Sequence, residues 1–225
     1  MTRACVLDTA FGVVVATPVA KLSKAELLAR LHAKEAAIAA SWGEPRVRTF
    51  VAGRLALREA LRAAGVDVDA IGRDDRGAPI VGDERVRVSV SHKDEIAVAL
   101  AWRPARADER VHVGVDVELL PGPKEDVARH VLTDVEQQEL ASIGDHGVRR
   151  RELVARFSVK EALYKALDPF VQRYVGFHEV EVRLHADGGA AFSLQLKDGE
   201  GPFVVEAEHR DIDGGVLTFA RVRRA

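Results

Sequence analysis

The sequence predicts an α+β fold made of two similar-sized lobes with mainly antiparallel sheets. Helical segments and short strands occur in both halves, and several strands are joined by Gly-containing turns of the hairpin type. A Pro- and charge-rich stretch at 103–110 separates the halves and predicts domains 1–105 and 106–225. The 225 residues, 47% of them hydrophobic, are enough to bury a core in each lobe. We expect a ligand site between the lobes, where clefts commonly form.

Two helices are predicted in the first half. Ser23 is a good N-cap for the Ala-, Leu- and Glu-rich run at 24–42, and a second helix at 47–64 ends at Gly65. A loop is expected at 72–85, because Gly, Asp, Arg and Pro are concentrated there. Apolar runs and alternation predict the strands of this half, which lie in 4–17 (broken near Gly12), 86–91 and 96–102.

The second half begins with a strand at 111–119, in which Val alternates with other residue types. Thr133, followed three residues later by a glutamate, predicts the start of a helix. A longer helix is predicted at 149–167 and is expected to end before Pro169, because the residue preceding a proline disfavours helical conformation. The tail at 179–222 alternates apolar and polar residues and contains two Gly-Gly pairs, which predicts an antiparallel meander.

The composition limits the partners and the compartment. Lys and Arg number 33 against 35 Asp and Glu, a formal net charge of −2, which does not favour nucleic-acid binding. No run of apolar, uncharged residues is long enough to predict a membrane span. The one cysteine, Cys5, makes no internal disulfide, and we expect it to be buried in a strand of a cytoplasmic protein. Asp8 interrupts the apolar N-terminal run, which therefore predicts a strand and not a secretion signal.

Two carboxylates on the strand at 111–119 are the first candidate site residues. Residues two apart on a strand point to the same face, so Asp116 and Glu118 lie side by side, opposite the valines that enter a core. Carboxylates this close repel each other unless a proton or a cation intervenes, and hard oxygen ligands suit Mg²⁺. Gly114 on the same face is expected to leave room for a ligand. The alternative is a solvated strand face that carries two acids.

A third acid lies on the predicted helix at 149–167. Glu161 and Lys165 are one turn apart and share a helix face. They form either an ordinary surface ion pair or a third metal ligand beside an ammonium group for a phosphate.

Two segments together resemble the signature of the 4′-phosphopantetheinyl transferase superfamily. They are Gly-Val-Asp-Val-Glu at 114–118 and Phe-Ser-Val-Lys-Glu-Ala-Leu-Tyr-Lys at 157–165, in the expected order and at the expected separation. The second segment is similar to those of transferases that serve siderophore (including enterobactin), nonribosomal-peptide and polyketide pathways. The length resembles the longer, pseudo-dimeric type, which implies two lobes related by a pseudo-twofold axis in a monomer.

The resemblance also implies a coenzyme A-binding side in the first lobe. By this likeness Arg46 and Arg54 hold the 3′-phosphate and the pyrophosphate, because arginine forks suit phosphate oxygens. The resemblance implies that the loop at 76–79 lies against the adenine and that Ser91, His92 and Lys165 contact phosphates. The full set assigned to coenzyme A is Arg46, Arg54, Arg76, Gly77, Pro79, Ser91, His92, Lys160 and Lys165.

The reaction implied by the resemblance is attack by a carrier-protein serine on the β-phosphorus of coenzyme A, which releases 3′,5′-ADP. Asp116, Glu118 and Glu161 are the implied ligands of Mg²⁺, with Mn²⁺ as a possible substitute. The implied catalytic residues are Glu161, Lys165 and His92. The base that takes the serine proton is either Glu161 or a water molecule on the metal.

Two other functions would use some of the same residues. A Mg²⁺-dependent phosphohydrolase of nucleotide diphosphate linkages needs the acids but not the arginines for a 3′-phosphate. A non-catalytic module that binds coenzyme A or a carrier protein tolerates the loss of an acid, and none of the three is missing from this sequence.

Overall fold

The predicted α+β class is confirmed by a computed structural model. The chain divides into two compact units, Met1–Glu109 and Arg110–Ala225, and each is described by itself. All strand pairs in the described part of the chain are antiparallel. The predicted domain boundary at 105/106 and most of the predicted linker lie outside the described residues. The residues described are 5–104, 110–120, 122, 127–197 and 199–225.

The helices and strands of unit 1 are β1 Cys5–Thr9, β2 Gly12–Pro18, α1 Lys24–Leu28, α2 Ala33–Ala39, α3 Glu44–Ala63, β3 Gly72–Arg73, β4 Pro79–Ile80, β5 Arg87–Lys93 and β6 Ile96–Trp102. Four of the strands form one sheet in the order β1-β2-β6-β5, and α3 packs on it. The core between them contains Leu57 and Leu61 of α3 against Val15 and Ala99 of the sheet. This helix is therefore fixed along its length by the burial of apolar side chains.

The single helix predicted at 24–42 is wrong, because the structure breaks it into α1 and α2. Ser23 caps α1 as predicted, but His32 has extended backbone geometry and caps a second helix. The carboxylate of Glu35 accepts the His32 N–H at 3.0 Å, which completes a capping box. The predicted loop at 72–85 also contains the short hairpin of β3 and β4.

The elements of unit 2 are β7 Val111–Leu119, α4 Ala128–Val131, α5 Asp134–Ser142, α6 His146–Val171, a 3₁₀ turn Phe177–Glu179, β8 Val180–Leu184, β9 Ala190–Leu194, β10 Phe203–Ile212 and β11 Gly215–Arg224. One sheet has the order β10-β11-β7, and a separate hairpin consists of β8 and β9. The tail thus forms the predicted antiparallel strands, but in two sheets linked by a single bridge from Gly189 to Glu208.

Helix α6 lies directly on β7 at Gly114, which corrects the expectation that this glycine leaves room for a ligand. A Cβ atom at this position would lie 1.8 Å from the carbonyl oxygen of Ala162. The glycine is needed for close packing of helix on strand. Asp116 lies two residues further on the same strand face, and it is 3% exposed. The alternative of a solvated acidic face is therefore wrong.

Helix α6 also extends past the predicted end at Pro169. A proline removes one hydrogen bond of the helix, and in the last turn this loss does not stop the chain from completing it. The helix ends at Val171, and Gln172 follows in left-handed conformation with its N–H bonded to the Asp168 carbonyl.

Each unit buries one glutamate at the third position of a short helix. Glu35 and Glu136 are both fully buried and complete the capping boxes of α2 and α5. Each accepts a bond from a cation of the following long helix, Arg58 at 2.5 Å and Lys160 at 2.6 Å. Each also accepts the backbone N–H of a residue at or beside a hairpin strand, Ile71 or Val182. These carboxylates join three elements of each unit, and their desolvation is offset by several bonds.

Cys5 lies at the start of β1 and is half-buried, so the expectation of a fully buried thiol is wrong. Among the helices of the described residues, none is long and apolar enough to cross a membrane.

Candidate active site

Asp116 is held beneath α6 at both of its carboxylate oxygens. Oδ1 accepts a hydrogen bond from Lys165 Nζ at 2.8 Å, and Oδ2 accepts one from Ser158 Oγ at 2.9 Å. Ser158 and Lys165 are seven residues apart, which is two helical turns, so one face of α6 holds the carboxylate from two sides. These two bonds fix the orientation of the carboxylate relative to α6.

Lys165, predicted to offer its ammonium group to a phosphate, is bonded within unit 2. Besides Asp116, its Nζ donates to the carbonyl oxygen of Val115 at 2.9 Å. An ammonium group has three donors, so the two bonds to described residues leave one N–H for a further acceptor. The side chain is 25% exposed, which leaves that donor within reach of a ligand from solvent.

Glu118 and Glu161 lie beside this arrangement. Glu118 follows Asp116 on the same face of β7 and is 6% exposed, whereas Glu161 is half-buried on α6, one turn from Lys165. In the part of the chain that the structure describes, no group of three or more His, Cys, Asp or Glu side chains is gathered as a metal site. The structure thus places the three predicted ligands on adjoining elements without gathering them around one point.

Lys160, predicted to contact coenzyme A, is bonded inside unit 2. It is 3% exposed, and its ammonium group donates to the Glu136 carboxylate and to the carbonyl oxygens of Val131 and Phe177, at 2.6, 2.8 and 3.0 Å. All three donors are therefore used inside unit 2. Burial lowers the pKa of Lys160, and the bond to Glu136 opposes this shift. The side chain ties α6 to α5, and its contact with coenzyme A stays a prediction.

Arg54 is also more buried than a direct phosphate contact requires. Its guanidinium donates to the Gly72 carbonyl at 2.8 Å and lies 4.0 Å from the Glu35 carboxylate. Burial lowers the pKa of Arg54 to about 10; Glu35 opposes the shift, and the nearby Arg73 and Arg58 add to it. Nε makes no hydrogen bond within the described residues. The guanidinium groups of Arg54, Arg58 and Arg73 lie near enough to act on one another, and this concentration of positive charge favours binding of an anion.

Arg46 is exposed and lies on an aromatic platform. Its guanidinium carbon is 3.9 Å from the ring centre of Trp42, and that of Arg73 is 5.6 Å from the same ring. The edge of Trp42 meets Phe50 at 5.1 Å, and Arg54 lies over Phe50 at 4.6 Å. Cation–π contacts within about 6 Å are attractive, so the two rings help to hold Arg46, Arg54 and Arg73 in place.

The loop predicted to contact adenine is the turn of the β3–β4 hairpin. Gly77 has a φ of +96°, which favours glycine, and Asp74 accepts the N–H of Gly77 at 3.1 Å and of Ala78 at 2.7 Å. Pro79 begins β4, and Arg76 is exposed next to the glycine. The turn is well defined by its own hydrogen bonds, and its contact with adenine stays a prediction.

Ser91 and His92 occupy neighbouring positions near the end of β5, so their side chains point to opposite faces of the sheet. Ser91 is buried and His92 is exposed. His92 shares the face of Val90, whose Cγ1 would lie 2.9 Å from a Cβ atom at Gly53 of α3. His92 is thus on the side of the sheet that carries the arginine helix, and Ser91 is on the other side.

A cavity of about 250 Å³ opens beside Glu161 in unit 2. Its walls are mostly apolar, and the rings of Tyr164 and Tyr174 lie 5.7 Å apart along it. The cavity has room for a narrow, partly apolar chain. Its lining residues are Lys160, Glu161, Tyr164, Leu167, Tyr174, Val175, Gly176, Phe177 and Val180.

Three residues, two in unit 2 and one in unit 1, had no role in the sequence-based prediction. Ser158 belongs to the motif at 157–165, but its spacing alone does not reveal a bond to Asp116. Thr218, which donates to Ser158 at 2.9 Å, comes from a distant strand and has no local signal. Trp42 lies just before α3, so its contact with Arg46 depends on how the chain enters the helix and has no local sequence signal.

Comparison with known proteins matches both units to one family. Residues 112–220 match the model of the 4′-phosphopantetheinyl transferase superfamily, and residues 33–102 match that of the 4′-phosphopantetheinyl transferase N-terminal domain. The chain is similar to the 4′-phosphopantetheinyl transferase Npt of Nocardia iowensis, with 31% identity over 167 residues. These residues cover 73% of this chain and 71% of that protein.

Solved structures of shorter proteins are similar to about half of the chain. A Chronobacterium ammoniagenes ACPS–CoA complex is 19% identical to this chain, with a TM-score of 0.42. The matched part covers 52% of this chain and 99% of that chain. The holo-[acyl-carrier-protein] synthase of Thermotoga maritima is 24% identical to this chain, with a TM-score of 0.41. The matched part covers 50% of this chain and 63% of that chain.

Proposed function

Because this chain belongs to the 4′-phosphopantetheinyl transferase superfamily, we propose that it transfers the 4′-phosphopantetheine arm of coenzyme A to a serine of an apo carrier protein. The products are the holo-carrier and adenosine 3′,5′-bisphosphate. The observation that carries this proposal is the bonding of the two sequence motifs to each other: Asp116 of the first accepts bonds from Ser158 and Lys165 of the second.

The metal in this proposal is Mg²⁺, which Mn²⁺ can replace, with Asp116, Glu118 and Glu161 as ligands. The donor set fits, because Mg²⁺ needs only one or two protein carboxylates and takes water and phosphate oxygens elsewhere. Asp116 and Glu118 are buried on one strand face, so a divalent cation would offset their mutual repulsion. When bound, the metal supplies charge neutralisation at the pyrophosphate of coenzyme A.

The side chains of the protein bind and orient the substrates, which is most of what catalysis of phosphoryl transfer requires. Arg46 and Arg54 supply positive charge for the 3′-phosphate and pyrophosphate. His92 and the remaining donor of Lys165 are assigned to other phosphate oxygens, and Glu161 or water takes the serine proton.

Other parts of coenzyme A have their own proposed contacts. Arg76, Gly77 and Pro79 are assigned to the adenine, and Ser91 to a phosphate. The pantetheine arm is a narrow chain with amide and methyl groups, and the apolar cavity beside Glu161 suits it in size and character.

The pathway and the setting are proposed from the resemblance of the motif at 157–165. It favours carriers of siderophore, nonribosomal-peptide or polyketide synthesis. We propose a monomer that acts in the cytoplasm.

The test is incubation of the purified chain with coenzyme A, Mg²⁺ and a panel of apo-carriers from fatty-acid, polyketide and peptide synthases. Intact-mass measurement is expected to find carriers that gain one phosphopantetheine, with 3′,5′-ADP as co-product. Transfer should stop with EDTA and return with Mg²⁺ or Mn²⁺. Full transfer in excess EDTA would remove the metal from the proposal.

The same experiment separates the two competing functions. A phosphohydrolase would release 3′,5′-ADP and free phosphopantetheine without a carrier. A non-catalytic module would bind coenzyme A and leave both it and the carriers unchanged.

A further inference from the structure

Two buried hydroxyl groups extend the hydrogen bonding of Asp116 into the core of unit 2. Thr218 Oγ1 donates to Ser158 Oγ at 2.9 Å, and Ser158 Oγ donates to Asp116 Oδ2 at 2.9 Å. Both hydroxyl residues are fully buried. The three residues come from β11, α6 and β7, so this chain of hydrogen bonds joins three elements.

The chemistry of the groups sets the direction of these bonds. An ionised carboxylate only accepts hydrogen bonds, so the single hydroxyl proton of Ser158 goes to Asp116. Ser158 then offers only lone pairs to Thr218, and the Thr218 hydroxyl must donate. Each hydroxyl group therefore has one favoured orientation, and neither rotates freely.

The pairing of β11 with β7 fixes the position of Thr218, the residue at the end of these hydrogen bonds away from Lys165. Thr218 is the direct cross-strand partner of Asp116 in the β11–β7 ladder, so both side chains lie on the same sheet face. Ser158 bridges them from the helix above. Its short side chain matches the close approach of α6 to β7, which Gly114 permits one turn of helix away, at Ala162.

We propose that Ser158, oriented by Thr218, is a positioning residue that sets the carboxylate of Asp116 for the divalent cation; this rests on the proposed function. Lys165 holds one oxygen and Ser158 the other, so the plane of the Asp116 carboxylate keeps one orientation. A ligand that is already oriented loses less freedom when the metal binds. Removal of such an outer partner typically weakens metal binding by about ten- to a hundred-fold.

The test measures Mn²⁺ binding to the full chain without a carrier protein, from the electron paramagnetic resonance signal of free Mn²⁺. Ser158→Ala is expected to raise the dissociation constant by roughly ten- to a hundred-fold. Thr218→Val should have a smaller effect in the same direction, and Thr218→Ser, which keeps the hydroxyl, should bind Mn²⁺ like the wild type. In the transfer assay Ser158→Ala should need more Mg²⁺ and regain most of its rate at saturating metal.

Val159→Ala is the matched control, because it shortens the neighbouring buried side chain of α6 without touching a hydroxyl. It should lower the melting temperature and leave Mn²⁺ affinity unchanged. Wild-type affinity in Ser158→Ala, or equal losses in Ser158→Ala and Val159→Ala, would overturn the positioning role. A wild-type chain that binds no Mn²⁺ and transfers nothing would instead overturn the proposed function, and this inference with it.

Discussion

Asp116 has two roles: it is a proposed metal ligand, and it forms an ion pair with Lys165. Replacement by a neutral residue tests both roles. Asp116→Asn keeps the shape but removes the charge that Lys165 and Ser158 contact. We expect transfer to fall by orders of magnitude. The free energy of unfolding should fall by about 1–3 kcal/mol, because a buried donor loses its charged partner. This loss of unfolding free energy is smaller than the loss expected for a fully buried ion pair, because water reaches the partly exposed side chain of Lys165.

A double mutant separates the two effects of this change. Asp116→Asn combined with Lys165→Met removes both charges, so part of the lost stability should return while transfer stays absent. Urea unfolding of the two single mutants and the double mutant gives the coupling. Additive losses of stability would mean that the ion pair contributes nothing to the fold.

Arg46 and Arg54 should differ when each is removed, although the sequence assigned them one role. Arg46 is exposed over Trp42, so Arg46→Ala should leave the melting temperature nearly unchanged. It should weaken coenzyme A by roughly tenfold, the value of a charge-assisted contact of about 1.5 kcal/mol, and dephospho-coenzyme A by less. Arg54→Ala should lower the melting temperature, because its guanidinium is packed beside Glu35. Calorimetry with both ligands measures the difference.

Arg48→Ala is the control for Arg46. It removes the same charge from the same turn of α3, but its guanidinium is bonded to Glu44 at 2.6 Å. An equal loss for both ligands in Arg46→Ala, or the same loss in Arg48→Ala, would show that Arg46 does not read the 3′-phosphate.

At the scale of elements, the packing of α6 on β7 depends on one missing side chain. Gly114→Ala places a Cβ atom 1.8 Å from the Ala162 carbonyl oxygen, so the helix must move away from the strand. Overpacking of this kind typically costs about 1–3 kcal/mol or more. We expect a lower melting temperature and loss of transfer, because Ser158 and Lys165 move with the helix. Gly82→Ala, where a Cβ atom meets nothing within 4 Å, should change neither quantity.

Local signals in the sequence predict most helices and strands. The features that the sequence did not predict depend on contacts between residues far apart in the chain. The Ser23 cap and the strands at 96–102 and 111–119 follow from caps and alternation. The break before α2 depends on His32 as a cap, a role that helix propensity alone does not indicate. The covering of Asp116 depends on how α6 lies on β7, which no local pattern contains.

In the candidate site, too, some side-chain positions follow from sequence motifs and others depend on contacts between distant residues. The motif residues Asp116, Ser158 and Lys165 meet as neighbours, although only their sequence order was known. Lys160 and Arg54 were predicted as ligand contacts, and the structure adds that each lies beside a buried glutamate of another element. A basic residue on an amphipathic helix looks the same in sequence whether its partner is a phosphate or a carboxylate of the core.

At the scale of the whole molecule, His209 should make stability depend on pH. It is 7% exposed, and neither ring nitrogen makes a hydrogen bond within the described residues. Burial lowers the pKa of His209, and Arg151 adds to this shift, whereas Glu152 on α6 and Asp211 and Glu208 on β10 oppose it. The folded protein therefore takes up the proton at lower pH than the unfolded chain does.

The sign of the effect follows from this difference in proton binding. As pH falls below about 6.5, the unfolded chain gains a proton that the folded chain excludes, so the free energy of unfolding falls. His209→Met keeps similar volume without a titratable group and should flatten this decline between about pH 7.5 and pH 5.5. Urea unfolding across this range measures it, with the exposed His178→Gln as a control that should leave the decline in place. An unchanged decline in His209→Met would assign it to other groups.

The two buried glutamates also offer a way to recognise such units in sequences that share little identity. In each unit a helix cap is followed three residues later by the glutamate, and a cation of the next long helix follows after 23 residues for Arg58 and 24 for Lys160. The capping residue differs between the units, His32 in one and Thr133 in the other. A search pattern built on the spacing, with any capping residue and either cation accepted, would detect each half separately. Such a pattern would find diverged relatives, because a buried carboxylate needs its cap and its cation at fixed distances along the chain.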